Sequence, residues 1–214
     1  MICFVYFILN NYILIKITYD FRGDKMNYLI LVNKNKPLSK DYIPTNLVKI
    51  KTKINKEIYL EEKTYKNITK LLDEANKIFA TELIVESGYR DYSYQEKLFK
   101  KELKIKKNEQ EVNKTLAYPG ESEHQTGLAV DIGFINGGLY DPYYDIEEYK
   151  DEFKWLSQNA HRFGFILRYP LGKESITGYN YEPWHFRYIG NIANYLFQRK
   201  LTLEEFLNCD ILYK

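Results

Sequence analysis

Residues 122–131 read Ser122-Glu123-His124-Gln125-Thr126-Gly127-Leu128-Ala129-Val130-Asp131, and the spacing of the histidine and the aspartate decides what fold can hold them. A helix through this stretch would separate His124 and Asp131 by about 10 Å along its axis, too far for both to serve one metal ion. The segment must therefore fold back. Gly127 permits a turn, Leu128 to Ile132 reads as a buried strand that delivers Asp131, and Gly133 allows close approach beyond it.

The surrounding pattern is mixed rather than repetitive. Upstream, Tyr65, Ile68, Leu72, Ala75 and Phe79 recur at helical spacing, which predicts an amphipathic helix over Glu61 to Phe79. Leu83 to Val85 reads as a strand running into Ser87-Gly88-Tyr89-Arg90, where the chain must turn. A lysine-rich helix is expected from Tyr92 to about Lys107, its charges forming a solvated face. Downstream, Asp145 and Glu148 match a capping box. Ile146, Tyr149, Phe153, Leu156 and Phe163 continue a helix that Gly164 ends. Phe165 to Tyr169 reads as a strand, and Thr202 with Glu205 repeats the capping signature before a short last helix. Helices and strands intersperse without a βαβ rhythm, so the expectation is α+β with a small antiparallel sheet flanked by helices.

At 214 residues the chain suits one compact catalytic domain, expected over 26–214, behind a hydrophobic segment at 1–25. Lys+Arg number 31 against 29 Asp+Glu, so no global field marks a nucleic-acid partner. The 21 tyrosines suit sugar and peptide surfaces, and codon bias explains them equally well. Cys3 and Cys209 stand at opposite ends and make no disulfide framework. Met1 to Ile15 is an apolar run closed by Lys16. It is shorter than the ~20 residues of a spanning helix and lacks both the basic start and the small-residue cleavage site of a signal peptide. It is either an anchor or uncleaved export signal, or an over-extended start ahead of Met26, which directly precedes the strand-like run Tyr28 to Val32.

Two of the three histidines lie in dense motifs, the one quoted above and Glu182-Pro183-Trp184-His185. Zinc accepts imidazole nitrogen and carboxylate oxygen, and a catalytic site takes three protein ligands and leaves a position for water. His124, Asp131 and His185 supply such a set. Glu182 is the candidate general base. Pro183 biases Glu182 away from helix, and an ideal strand would point Glu182 and His185 to opposite faces, so a bend near Pro183 or Trp184 is required. His161 lies outside every motif and reads as an ordinary helix-surface residue.

These motifs resemble those of the D-alanyl-D-alanine carboxypeptidases of the vancomycin-resistance type. Residues Ser122 to Asp131 look like their Ser-x-His-x-x-Gly-x-Ala-x-Asp, and Glu182 to His185 like their Glu-x-Trp-His. Ser87-Gly88-Tyr89-Arg90 with Gln95 is similar to a third block. The order agrees from about Leu31 to Gly190, with no departure at a metal or base position. The resemblance implies a zinc peptidase fold with a small antiparallel sheet, one zinc ion, and hydrolysis of the terminal peptide bond of peptidoglycan stem peptides. It implies His124, Asp131 and His185 as ligands and Glu182 as base. Arg90 matches an arginine that either polarises the scissile carbonyl or holds the terminal carboxylate, roles that suit a guanidinium. Gln95 and Ser122 match positions that help bind the stem terminus.

An endopeptidase of the phage-lysin kind would use the same metal residues, and a non-catalytic peptidoglycan-binding module would keep the fold alone. The intact ligand set with its base argues for an enzyme, and the wording of the motifs for a carboxypeptidase. The expectation is a monomer in the cell envelope, on the outer face of the membrane or in the wall, with membrane contact through the N-terminal segment. If Met26 is the true start, the protein is cytoplasmic before release. Neither D,D nor L,D specificity is chosen by these motifs.

Overall fold

The computed structural model describes residues 2–9, 13–20, 27–141 and 145–208. An antiparallel pair, β1 (Ile2–Leu9) with β2 (Ile13–Asp20), comes first. Then follow β3 (Leu47–Lys49), β4 (Tyr59–Glu61), α1 (Glu62–Ala75), β5 (Glu82–Ser87), α2 (Tyr92–Lys106) and α3 (Glu109–Val112). The second half holds β6 (Ala129–Asn136), β7 (Leu139–Asp141), α4 (Lys150–Asn159), β8 (Phe165–Leu167), α5 (Glu174–Thr177), β9 (His185–Tyr188), α6 (Ala193–Arg199) and α7 (Leu203–Leu207). The principal sheet runs β5-β6-β9-β8, with β7 also paired to β6, and every pairing is antiparallel. With helices packed around this sheet, the fold is α+β as expected.

The central strand β6 owes its place to alternation. Val130, Ile132 and Phe134 are fully buried and join Phe186 of β9, Leu83 and Val85 of β5 and Ile68, Leu71 and Leu72 of α1 in one core. Burying each such side chain stabilises the fold by about 1.5–3 kcal/mol. Phe134 stacks on Tyr149 at a 4.0 Å centroid distance and meets Phe153 edge-on, which seats α4 on the sheet. Asp131 and His185 lie opposite each other across β6 and β9. Their shared face is therefore the other one, turned away from this core.

Several boundaries differ from expectation, most of them where a polar group takes over the backbone. Tyr28 to Val32 forms no strand, since Asn27 caps a turn through Leu29 N and Ile30 N, and the carbonyls of Tyr28 and Ile30 accept from the Arg187 guanidinium. The first helix ends at Ala75 rather than Phe79 because the Asn76 side chain bonds both Leu83 N (2.7 Å) and Leu83 O (3.0 Å), turning the chain toward β5. Glu61 precedes that helix as its cap, accepting from Thr64 N at 2.9 Å. Asp145 makes a turn with Glu147 N instead of capping a helix, and α4 begins only at Lys150. A 3-10 turn then carries Ala160 to Phe163, and Gly164 ends it at φ +85. The strand expected to reach Tyr169 stops at Leu167.

Among the described residues no helix is long and apolar enough to cross a membrane. Met26 and Cys209 lie outside the described residues.

Candidate active site

His124 sits in a 3-10 turn, Glu123–Thr126, that Gly127 closes at φ +71. A side chain at 127 would be strained by that φ, and its Cβ would lie 2.9 Å from Leu47 Cδ2. The turn sends the chain into β6, so Asp131 returns toward His124. On the other side, Glu182 and His185 are joined by a reverse turn, His185 N donating to Glu182 O at 3.2 Å. This is the bend that the Pro183-Trp184 step was expected to supply. It places both side chains at one site.

The resulting cluster is tight. Asp131 Oδ2 lies 3.2 Å from His124 Nε2, and Asp131 Oδ1 lies 3.0 Å from His185 Nδ1. One ligand atom from each of the three residues falls within 4.8 Å of the others. Zinc bonds to nitrogen and carboxylate oxygen run about 2.0–2.2 Å, so tetrahedral ligands stand about 3.5 Å apart and the donor set fits zinc. A second observation agrees. The main-chain carbonyl of Gly88 is 2.6 Å from His124 Nδ1 and can only accept, so that nitrogen carries the proton and the buried, otherwise unpartnered Nε2 offers a lone pair toward Asp131.

The other expected residues surround this cluster. Glu182 is buried, with Oε2 3.8 Å from His185 Nδ1. Arg90 Nη1 donates to Ser87 Oγ at 2.8 Å and approaches Asp131 Oδ2 at 3.4 Å, while Nε donates to Gln95 Oε1 at 3.0 Å. Gln95 is buried and its amide nitrogen donates to Ala117 O at 2.8 Å. It thus braces Arg90. Ser122 is buried at the start of the 3-10 turn and makes no capping bond.

Electrostatics separate the titrating groups. Burial pushes Glu182 up to about 8, against the pull of His185. Burial and the Arg90 charge push His124 down to about 4. For His185 burial works the other way from its neighbours, and the Asp131 hydrogen bond raises it to about 9. Burial also opposes the Asp131 charge, yet the two histidines hold that carboxyl well below its usual range.

Behind the His124-Asp131-His185 cluster lies a charge network whose arginines stand outside the sequence motifs. Arg168 and Arg187 are fully buried. Arg168 Nε and Arg187 Nη1 both donate to Glu123 Oε1, at 2.8 and 2.7 Å. Arg168 also forks onto Glu204 of α7 at 2.8 and 2.6 Å. Burial opposes the Glu123 charge, but the two guanidiniums hold its carboxyl well below the usual range. The available signal was an arginine inside each of two apolar strand sequences, Phe165-Ile166-Leu167-Arg168 and His185-Phe186-Arg187-Tyr188. Such a charge needs a buried partner.

Residues 57–191 match the VanY family, described as D-alanyl-D-alanine carboxypeptidase. The chain is 37% identical over 186 residues to the bifunctional D-Ala-D-Ala dipeptidase and D-Ala-D-Ala carboxypeptidase VanXYC of Enterococcus gallinarum, covering 85% of this chain and 94% of that one. Among solved structures it superposes on the LdcB LD-carboxypeptidase with a TM-score of 0.72 at 40% identity, covering 85% of this chain and 86% of that one. It superposes on a mutant of the vancomycin resistance D,D-pentapeptidase VanY in complex with Zn(II) with a TM-score of 0.70 at 34% identity, covering 85% and 99%.

Proposed function

Because the chain belongs to the VanY family of D-alanyl-D-alanine carboxypeptidases, we propose that it is a zinc carboxypeptidase that removes the terminal D-alanine from peptidoglycan stem peptides. The observation that carries this reading is the convergence of His124, Asp131 and His185 beside a buried carboxylate, Glu182, and an anchored guanidinium, Arg90. His124, Asp131 and His185 would hold the zinc ion. When bound, zinc supplies a Lewis acid that polarises the scissile carbonyl and brings the pKa of water toward roughly 7.

The chain's own residues do the rest. Glu182 is a buried carboxylate beside His185, placed to exchange protons with a water at the site. It takes a proton from the attacking water as oxygen bonds to the carbonyl carbon. It then gives that proton to the departing amino group as the C–N bond breaks, so free D-alanine leaves and the shortened stem keeps the new carboxylate. Arg90 is fixed through Nε and Nη1 by Gln95 and Ser87, which leaves its other amino group to bind an anionic oxygen of the substrate, on the scissile carbonyl or the terminal carboxylate. In this reading Gln95 contributes by holding Arg90, and Ser122 lines the start of the turn that carries His124.

Peptidoglycan lies outside the cytoplasmic membrane, so this reading places the protein in the cell envelope, with residues 1–25 as the segment that would take it there. The deciding experiment is mass spectrometry of defined tetrapeptide and pentapeptide stems after incubation with the zinc-loaded protein. Loss of one C-terminal D-alanine supports the proposal, and the stem that reacts assigns L,D or D,D specificity. Internal cleavage would replace it by the endopeptidase reading, and no cleavage of either stem would overturn it.

A further inference from the structure

We infer that Glu123 is a positioning residue for the metal centre, accepting the Nε2 proton of His185 so that His185 presents Nδ1 to the metal, with Arg168 and Arg187 clamping the carboxylate in place. The inference rests on the reading of His185 as a zinc ligand.

The two oxygens of the buried Glu123 carboxylate have different surroundings. Both arginine bonds fall on Glu123 Oε1. The other oxygen, Oε2, is buried and has no hydrogen-bond partner among the described residues, although a carboxylate this enclosed needs each oxygen satisfied. The nearest complement is His185 Nε2, 3.8 Å away, equally buried and equally without a partner. Two complementary atoms, each lacking any other partner, stand less than 1 Å beyond hydrogen-bond distance. The opposite nitrogen of that ring, Nδ1, faces Asp131. His185 is thus held the reverse way round from His124, whose Nδ1 faces the Gly88 carbonyl and whose Nε2 faces Asp131.

The clamp explains why a carboxylate rather than a carbonyl can do this. Arg187 is locked by the carbonyls of Tyr28 and Ile30, at 3.1 and 2.8 Å, and Arg168 by Glu204. Two arginines and two glutamates balance in charge and bind one another, so Glu123 stays ionised and its second oxygen cannot rotate away. Partners of this kind fix the tautomer and orientation of a metal-binding histidine, and losing one costs about 10- to 100-fold in metal affinity.

The test uses the zinc-loaded full chain. With 15N-labelled histidine, long-range proton–nitrogen correlation should show His185 protonated at Nε2 and metal-bound at Nδ1, its Nε2 proton shifted downfield and slow to exchange. His124 should show the opposite pattern. Chelator competition should show Glu123→Gln and Glu123→Asp binding zinc about 10- to 100-fold more weakly than wild type. In a cobalt-substituted sample the visible spectrum of both variants should shift. Should neither variant fold, the wild-type spectrum alone decides. His185 bound through Nε2, or a rapidly exchanging Nε2 proton, overturns the inference, as does a folded Glu123→Gln protein with unchanged zinc affinity and spectrum. A wild-type chain that takes up no zinc would instead sink the proposed function.

Discussion

Glu182 and Arg90 carry the sharpest tests at the residue scale. Glu182→Gln removes a proton carrier without touching a ligand. Turnover should fall on the order of 100- to 10,000-fold while zinc content and the unfolding transition stay near wild type. A near-normal kcat would make Glu182 a scaffold group. Arg90→Lys keeps the charge but cannot hold Ser87 and Gln95 while presenting a planar donor pair, so kcat/KM should fall at least tenfold in steady-state assays of the same stems. The candidates for these roles were legible because few side-chain types can do the chemistry. With three histidines in the chain, a two-imidazole site had almost no alternatives. Glu123 was not legible in the same way. It sits inside the quoted motif, but its partners Arg168 and Arg187 are 45 and 64 residues away, and only the sheet brings them together.

At the scale of elements, the site depends on turns whose backbones leave no room for a side chain. Gly88 is the clearest case, since a Cβ there would lie 2.5 Å from Tyr59 O and 2.9 Å from Ile58 Cγ2. Its carbonyl is also the acceptor for His124 Nδ1. Gly88→Ala should therefore shift the β5 exit, weaken that hydrogen bond and lower zinc affinity at least tenfold in chelator titration, and it should destabilise the fold by about 1–3 kcal/mol in urea melts. Unchanged zinc binding would mean that His124 is oriented by something else. The elements themselves were legible where periodicity is strong, as in α1, and where a cap is local, as in Thr202 and Glu205 before α7, whose reciprocal bonds both form. They were misread where a side chain claims the backbone. Asn76 cuts α1 short by bonding β5. Arg187 draws Tyr28 and Ile30 out of any strand. The Arg187 bonds span 159 and 157 residues and have no signature within one window of sequence.

Across the whole molecule, two questions separate cleanly: what folds the chain, and what makes it reactive. The main core packs α1 and α4 on the sheet without His124, Asp131 or His185 among its members, so strong chelation should abolish turnover yet leave a cooperative unfolding transition. Returning zinc at a free concentration a hundredfold above its Kd should stabilise that transition by about 2.7 kcal/mol. The buried charge network works differently, because it ties together parts of the chain far apart in sequence. Glu204 of α7 accepts two bonds from Arg168 and one from Asn33, at 3.1 Å, while Arg168 and Arg187 meet on Glu123. Removing one member leaves the others charged, buried and unbalanced. Glu204→Leu should therefore cost about 3–5 kcal/mol in denaturant unfolding, far more than a surface ion pair such as Lys66–Glu62, whose loss should cost less than about 1 kcal/mol. The Glu204→Leu, Arg168→Met double variant should recover part of that loss, since the buried charge left without its partner is gone as well. Glu204 touches no ligand, so once the variant is folded its zinc affinity should fall less than that of Glu123→Gln. A Glu204→Leu protein of wild-type stability would show that the network is not a structural tie, whatever Glu123 does for His185.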